Sequence, residues 1–193
     1  WSRHNMHGQG GQWGLTMDDM GRLFYSSGGG GQMVLGFQMH PSYGRLKLPN
    51  EIQKGWPEVF PIVQTPDTLG GSGANRHEDG TLRNTTGSAG QGIFRGDRLP
   101  KELYGDYFIG EPIGRLVRRF KVHHEDGKYV LRMPYQRKEF LASSDMNFRP
   151  VWHTTGPDGC LYVIDLYHGI IQDGAYFRQP NSGLRKTILK FGL

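Results

Sequence analysis

Cysteine is nearly absent: Cys160 is the only one in 193 residues. No internal disulfide can form, and there is no CxxC or CxxCH motif. That excludes a Cys-based zinc site, an iron–sulfur cluster and a covalently attached c-type haem within this segment. Long apolar runs are missing too; no stretch approaches the roughly 18 apolar residues of a membrane span. No signal peptide is visible, since the chain opens Trp1-Ser-Arg-His-Asn-Met-His7 and stops at Lys190-Phe-Gly-Leu193. Both ends look cut, and the expectation is a fragment or a processed piece.

Clustered charge is also lacking. The net charge is +5, from 23 Lys+Arg against 18 Asp+Glu, but the cations are scattered. The densest runs are Arg115-Leu-Val-Arg118-Arg119-Phe-Lys121 and Arg185-Lys186. A nucleic-acid face would gather them into a stripe, so no nucleic-acid partner is expected. The runs read as a solvated, mildly basic surface, which would suit acidic glycans or an anionic redox partner.

What is abundant is backbone punctuation. With 30 Gly and 11 Pro, 36% hydrophobic and 12% aromatic residues, the chain is too apolar for disorder and too Gly-rich for a helix bundle. The clearest pattern is Asp-x-Gly or Asp-Gly followed by a short apolar strand. It runs from Trp13 to Tyr25 around Asp18-Asp19-Met-Gly21, and from Thr155 to Asp165 around Pro157-Asp158-Gly159. A degenerate copy lies over Asp106–Arg118, around Glu111-Pro-Ile-Gly114. Such turns between alternating hydrophobics signal hairpins, because Gly supplies the positive φ they need.

Gly159 follows Gly114 by 45 residues, and Gly114 follows Gly21 by about twice that, a spacing in the range of β-propeller blades. The fold expected is therefore all-β, one partial β-propeller domain over residues 1–193, with blade-like units near 13–25, 105–120 and 151–165. Three to four blades are present, and a fourth would turn near Pro66-Asp67. So few blades expose edges and core, so the piece is expected to belong to a six-bladed ring. The stretch from about 41 to 90 reads as a long face-covering loop. The best short helix is Pro180–Phe191, behind Asn181-Ser182 as cap.

Five ordered blocks carry a family resemblance: Gly11–Tyr25, Phe94–Pro100, Gly105–Arg119, Glu139–Asp145 and Phe148–Val151 with Gly156–Gln172. Together they resemble the membrane-bound-dehydrogenase-type propellers of planctomycetes, distant cousins of the glucose/sorbosone quinoprotein dehydrogenases. The resemblance implies an exported oxidoreductase, periplasmic or secreted, acting on a sugar or other alcohol. Electrons would pass to a c-type cytochrome domain or partner, and pyrroloquinoline quinone and calcium would be the cofactors. The competing class is a non-catalytic propeller that binds glycans or acts as a scaffold.

Several residues break local rules or bring useful chemistry. Arg95 and Asp97, in Phe94-Arg-Gly-Asp-Arg98, either pin their loop as an ion pair or bind a polar ligand at the propeller mouth. Glu111 precedes Pro112 inside a hairpin, where both are disfavoured. It and Arg115 read either as ligand-binding groups or as an internal ion pair. Arg149 is held extended by Pro150; its planar fork could grip a carboxylate or quinone oxygen, or a neighbouring blade through Asp145. Asp165 and His168, with Tyr167 between them, end a blade strand. His168 is the best general base or metal ligand because it titrates near neutrality, and a hydrogen-bonded structural histidine is its other reading. No metal set emerges from His4, His7, His123 and His124. Asp18-Asp19 reads as either a calcium site or an ordinary turn, Arg76–Gly80 as a polar turn, and Asn84-Thr-Thr86 as a chance sequon.

Overall fold

The computed structural model describes residues 14–26, 35–38, 51–54, 87–125, 128–135, 138–145 and 147–169. These are all-β. Eleven strands run in chain order: β1 Leu15–Met17, β2 Leu23–Tyr25, β3 Leu35–Gln38, β4 Glu51–Lys54, β5 Ala89–Ile93, β6 Tyr107–Glu111, β7 Leu116–Glu125, β8 Lys128–Arg132, β9 Leu141–Ala142, β10 Pro150–Thr155 and β11 Leu161–Asp165. Among the described residues the only helical turn is a short 3-10 turn at Lys101–Leu103, and no helix is long and apolar enough to cross a membrane.

Among the described residues every pairing is antiparallel, in three sheets. One is a meander in chain order, β1-β2-β3-β4. The second runs β5-β6-β7-β8, with β9 also on the first part of β7. The third is the β10–β11 hairpin. Paired strands thus occupy each of the three spans 13–25, 105–120 and 151–165. The stretch from 41 to 90 is not structureless, since it holds β4 and the first residues of β5.

Turn chemistry explains the hairpins. Between β1 and β2, Asp18 Oδ1 accepts the N–H groups of Met20 (3.0 Å) and Arg22 (2.9 Å), its other oxygen takes the Arg22 Nε–H, and Gly21 sits at φ +77°. The β10–β11 turn repeats the device: Asp158 accepts the Cys160 N–H at 3.0 Å and Gly159 sits at φ +80°. Both are five-residue loops whose glycine takes the left-handed position. The β6–β7 turn is four residues long, and its left-handed position falls on Arg115 (φ +57°), a conformation costing a side-chain-bearing residue about 1–2 kcal/mol.

Strand β5, Ala-Gly-Gln-Gly-Ile, is buried throughout because it lies between the other two sheets. On one side Gln91 donates to the Gly14 carbonyl and the Ile93 N–H reaches Thr16 Oγ1 at 3.3 Å. On the other side the backbone of β10 comes so close that a Cβ on Gly90 would stand 2.0 Å from the Val151 carbonyl, and one on Gly92 2.6 Å from that of His153. Glycine in a strand marks such close approach.

The apolar core lies on both faces of β6. Tyr107 and Ile109 pack with Phe24, Ile93, Phe120 and Leu131, while Phe108 packs with Phe94, Leu103 and Val117. The basic run after Gly114 is not a solvated surface: Arg115, Arg118 and Arg119 are all buried. Arg118 forms a two-pronged pair with Glu139 (Nε to Oε2 2.9 Å, Nη2 to Oε1 2.8 Å). Arg119 binds Asp106 at 2.5 Å, the Tyr135 hydroxyl at 2.9 Å and the Glu102 carbonyl at 3.1 Å. A strand buried on both faces must satisfy its cations internally, and Arg118 and Arg119 have each found a carboxylate.

Candidate functional site

The eight singled-out residues fall into two groups at opposite ends of the β10–β11 hairpin. Pro150 pairs with Asp165 at one end and Thr155 with Leu161 at the other, five strand steps apart, about 17 Å at the usual rise. Arg149, Asp165, Tyr167 and His168 lie at the first end, beside the β6–β7 turn with Glu111 and Arg115. Arg95 and Asp97 lie at the second.

At the first end Arg149 is buried and its guanidinium is spent on backbone carbonyls. Nη1 donates to Pro112 (2.8 Å), Nε to His168 (3.1 Å) and Nη2 to Gly169 (2.6 Å). It ties the β6–β7 turn to the chain leaving β11. Asp165 Oδ1 accepts the N–H groups of Arg149 (2.6 Å) and Tyr167 (2.9 Å), which holds Tyr167 in its own left-handed conformation (φ +47°). Glu111 is fully buried and accepts from the Ser88 hydroxyl at 3.3 Å and the Gly87 N–H at 3.4 Å. Burial, with the Arg149 cation close by, pulls Arg115 down to about 10, so it stays charged at neutral pH. Tyr167 and His168 are exposed. This end joins elements together.

The second end is open. The loop Arg95–Tyr104 and the turn Thr155–Gly159 form the walls of a groove of about 1120 Å³. The walls are stitched by three bonds: Arg95 N–H to Thr155 Oγ1 (2.9 Å), Arg98 N–H to the Gly159 carbonyl (3.2 Å) and Arg98 Nε to the Asp158 carbonyl (3.2 Å). Gly96 permits this, since a Cβ there would stand 2.0 Å from the Gly159 oxygen.

Within the groove the charges are not equivalent. Arg95 is committed to the β1–β2 turn, through Asp19 at 2.5 Å and the Met17 carbonyl. That bond holds the Asp19 carboxyl below its ordinary range. Asp158 is held low by the Cys160 N–H, and its bonds push the Cys160 thiol and the Tyr162 hydroxyl up. The side chains of Arg98 and Asp97 are 68% and 85% exposed, Lys101 is exposed beside them, and the Tyr104 ring is half-exposed while its hydroxyl bonds Asp19 at 3.3 Å.

Sequence reasoning reached Arg95 and Asp97 but missed Lys101, Tyr104 and Asp158 as site residues. Asp158 carried only a turn signal, and nothing local tells that Gly96 and Gly159 touch. Buried His153 on β10 was missed as well; one histidine in an alternating strand has no signature. His4, His7, Arg76–Gly80, Asn84, the turn near Asp67 and the helix at Pro180–Phe191 lie outside the described residues.

No group of three or more His, Cys, Asp or Glu side chains among the described residues comes together as a ligand set, and Asp18 and Asp19 are occupied by Arg22 and Arg95.

A family described as Domain of unknown function (DUF7133) matches residues 3–190. No curated protein and no solved structure matches the chain.

Proposed function

The chain belongs to this DUF7133 family, and on that premise we propose that it is a propeller-type binding module whose groove at Arg95–Tyr104 and Thr155–Gly159 takes an acidic carbohydrate. The propeller reading is supported by hairpins at recurring spacing, by the shared turn device of Gly21 and Gly159, and by the contacts that both other sheets make with β5. The ligand reading rests on one observation: Arg98 and Lys101 stand exposed beside the Tyr104 ring, with Asp97 and Asp158 as acceptors on either side.

A sugar offers hydroxyls that donate and accept, a ring face that packs on an aromatic, and in a sugar acid a carboxylate suited to a guanidinium. The groove supplies a partner for each. Of the two functions the sequence raises, we favour binding, because the groove's exposed cations, carboxylates and aromatic ring each match a group of a sugar acid.

Titration calorimetry with oligosaccharides of glucuronate and of glucose tests this. Acidic chains are expected to bind and neutral ones to bind at least tenfold more weakly. The Arg98→Ala/Lys101→Ala variant should lose tenfold or more in affinity, and added salt should weaken binding as screening predicts. Equal affinity for acidic and neutral chains, or no binding of either, would sink the reading.

A further inference from the structure

His153 is 1% exposed and sits on the inner side of β10, between β5 and β6. Its Nδ1 lies 2.8 Å from the Gly90 carbonyl, so Nδ1 carries the hydrogen and donates it. Nε2 is left as a buried lone pair with no hydrogen-bond partner among the described residues. The ring lies close against the β6 backbone: a Cβ on Gly110 would stand 3.1 Å from Cε1, and the flanking β10 backbone rests on Gly90 and Gly92. A second ring proton would create a cation with an unanswered N–H in this space, the costliest kind of buried group.

We propose that His153 is an acid-sensing latch: taking a proton at Nε2 dislodges the β10–β11 hairpin from β5 and β6 and parts the two walls of the groove. The charged and titratable neighbours offer the imidazolium no rescue. Strand β5 has none. Strand β6 contributes Tyr107 and Glu111, the latter bonded to Ser88 and Gly87. Strand β11 contributes Tyr162 and Asp165, the latter bonded to the Arg149 and Tyr167 amides. On its own strand His153 has no titratable companion, and Arg149 just before it adds positive charge.

Burial lowers the ring to about 4, with the Gly90 carbonyl opposing, whereas a histidine in the released hairpin titrates near its ordinary value of about 6.5. The closed form therefore binds fewer protons. Its advantage is complete above about pH 6.5 and is lost as pH falls toward about 4.

The latch stands on the packing of β10 alone; its effect on a ligand rests on the groove reading above. Hydrogen exchange on the full chain, expressed as protection factors so that the intrinsic pH dependence of exchange drops out, tests it. Protection of β5 and β10 amides should fall roughly tenfold or more between about pH 7 and 5, while the β6–β7 pairing keeps its protection. His153→Asn, whose side-chain amide can still donate to the Gly90 carbonyl, should flatten that response. An unchanged wild-type profile, or the same fall in His153→Asn, overturns the proposal. Should that variant not fold, the imidazole titration of the wild type decides: a midpoint near 6.5 with the hairpin still protected overturns the latch, and a depressed midpoint at which protection is lost supports it. Absence of glucuronate binding at neutral pH would sink the groove reading and leave the latch standing.

Discussion

Gly90→Ala is expected to leave no folded protein. Two penalties coincide at this position. Gly90 has φ +64°, and its Cβ would stand 2.0 Å from the Val151 carbonyl oxygen and 2.2 Å from the Trp152 Cα. The first costs about 1–2 kcal/mol. The second cannot be relieved by a rotamer change, because both obstructing atoms are backbone, so β10 must move away from β5. The total should exceed the 4–5 kcal/mol that marks the exceptional tail of point mutations. Gly105→Ala separates the two penalties: at φ +81° with nothing within 4 Å, it should cost only about 1 kcal/mol. Chemical denaturation of both variants beside the wild type checks the pair. A Gly90→Ala protein as stable as Gly105→Ala would mean that β5 and β10 are not in contact.

The second large effect lies on β7. Arg118 and Glu139 are both fully buried and joined by a two-pronged pair. Glu139→Ala removes the carboxylate and leaves the guanidinium in the core without its counter-charge, at a cost of about 3–5 kcal/mol. At the usual sensitivity of about 2–4 °C per kcal/mol for a chain of this size, the melting temperature should drop by roughly 10 °C. The double variant Arg118→Met/Glu139→Leu should recover most of that loss, because an apolar pair pays no desolvation. Thermal melts of the single and double variants decide it; a double variant no better than Glu139→Ala would show that the pair contributes beyond compensating its own burial.

The hairpins were legible because their signal is local. Asp18 with Gly21, and Asp158 with Gly159, fix turn geometry within five residues, and the apolar residues on either side need no distant partner to be read as strands. Strand β5 was not legible for the opposite reason. Ala-Gly-Gln-Gly-Ile has poor strand propensity and reads as loop, yet two sheets closing on it select the absence of side chains. The arginines of β7 were misjudged likewise: in sequence a basic run looks solvated, and only the pairing with Glu139 and Asp106, 21 and 13 residues away, shows that it is interior. The site followed the same pattern. Glu111 drew notice by breaking a local rule, Arg149 and Asp165 by the chemistry of their side chains, and the structure gathers them where the chain is joined. The groove depends on Gly96 meeting Gly159 across 63 residues of sequence, which no motif announces.

Strand β7 serves two different neighbourhoods along its length. Leu116 to Phe120 pairs with β6 and is buried on both faces, whereas Lys121 to Glu125 pairs with β8. The second half and β8 therefore form a two-stranded ribbon continuing out of a three-sheet body, without a further strand on either edge among the described residues. A ribbon of that kind has a lower local opening free energy than the sheet it grows from. The Glu125–Lys128 end is thus the natural side from which to attach a fluorophore, an affinity tag or a surface tether, since a load applied there is met by three ladder pairs before it reaches Leu131 and the core.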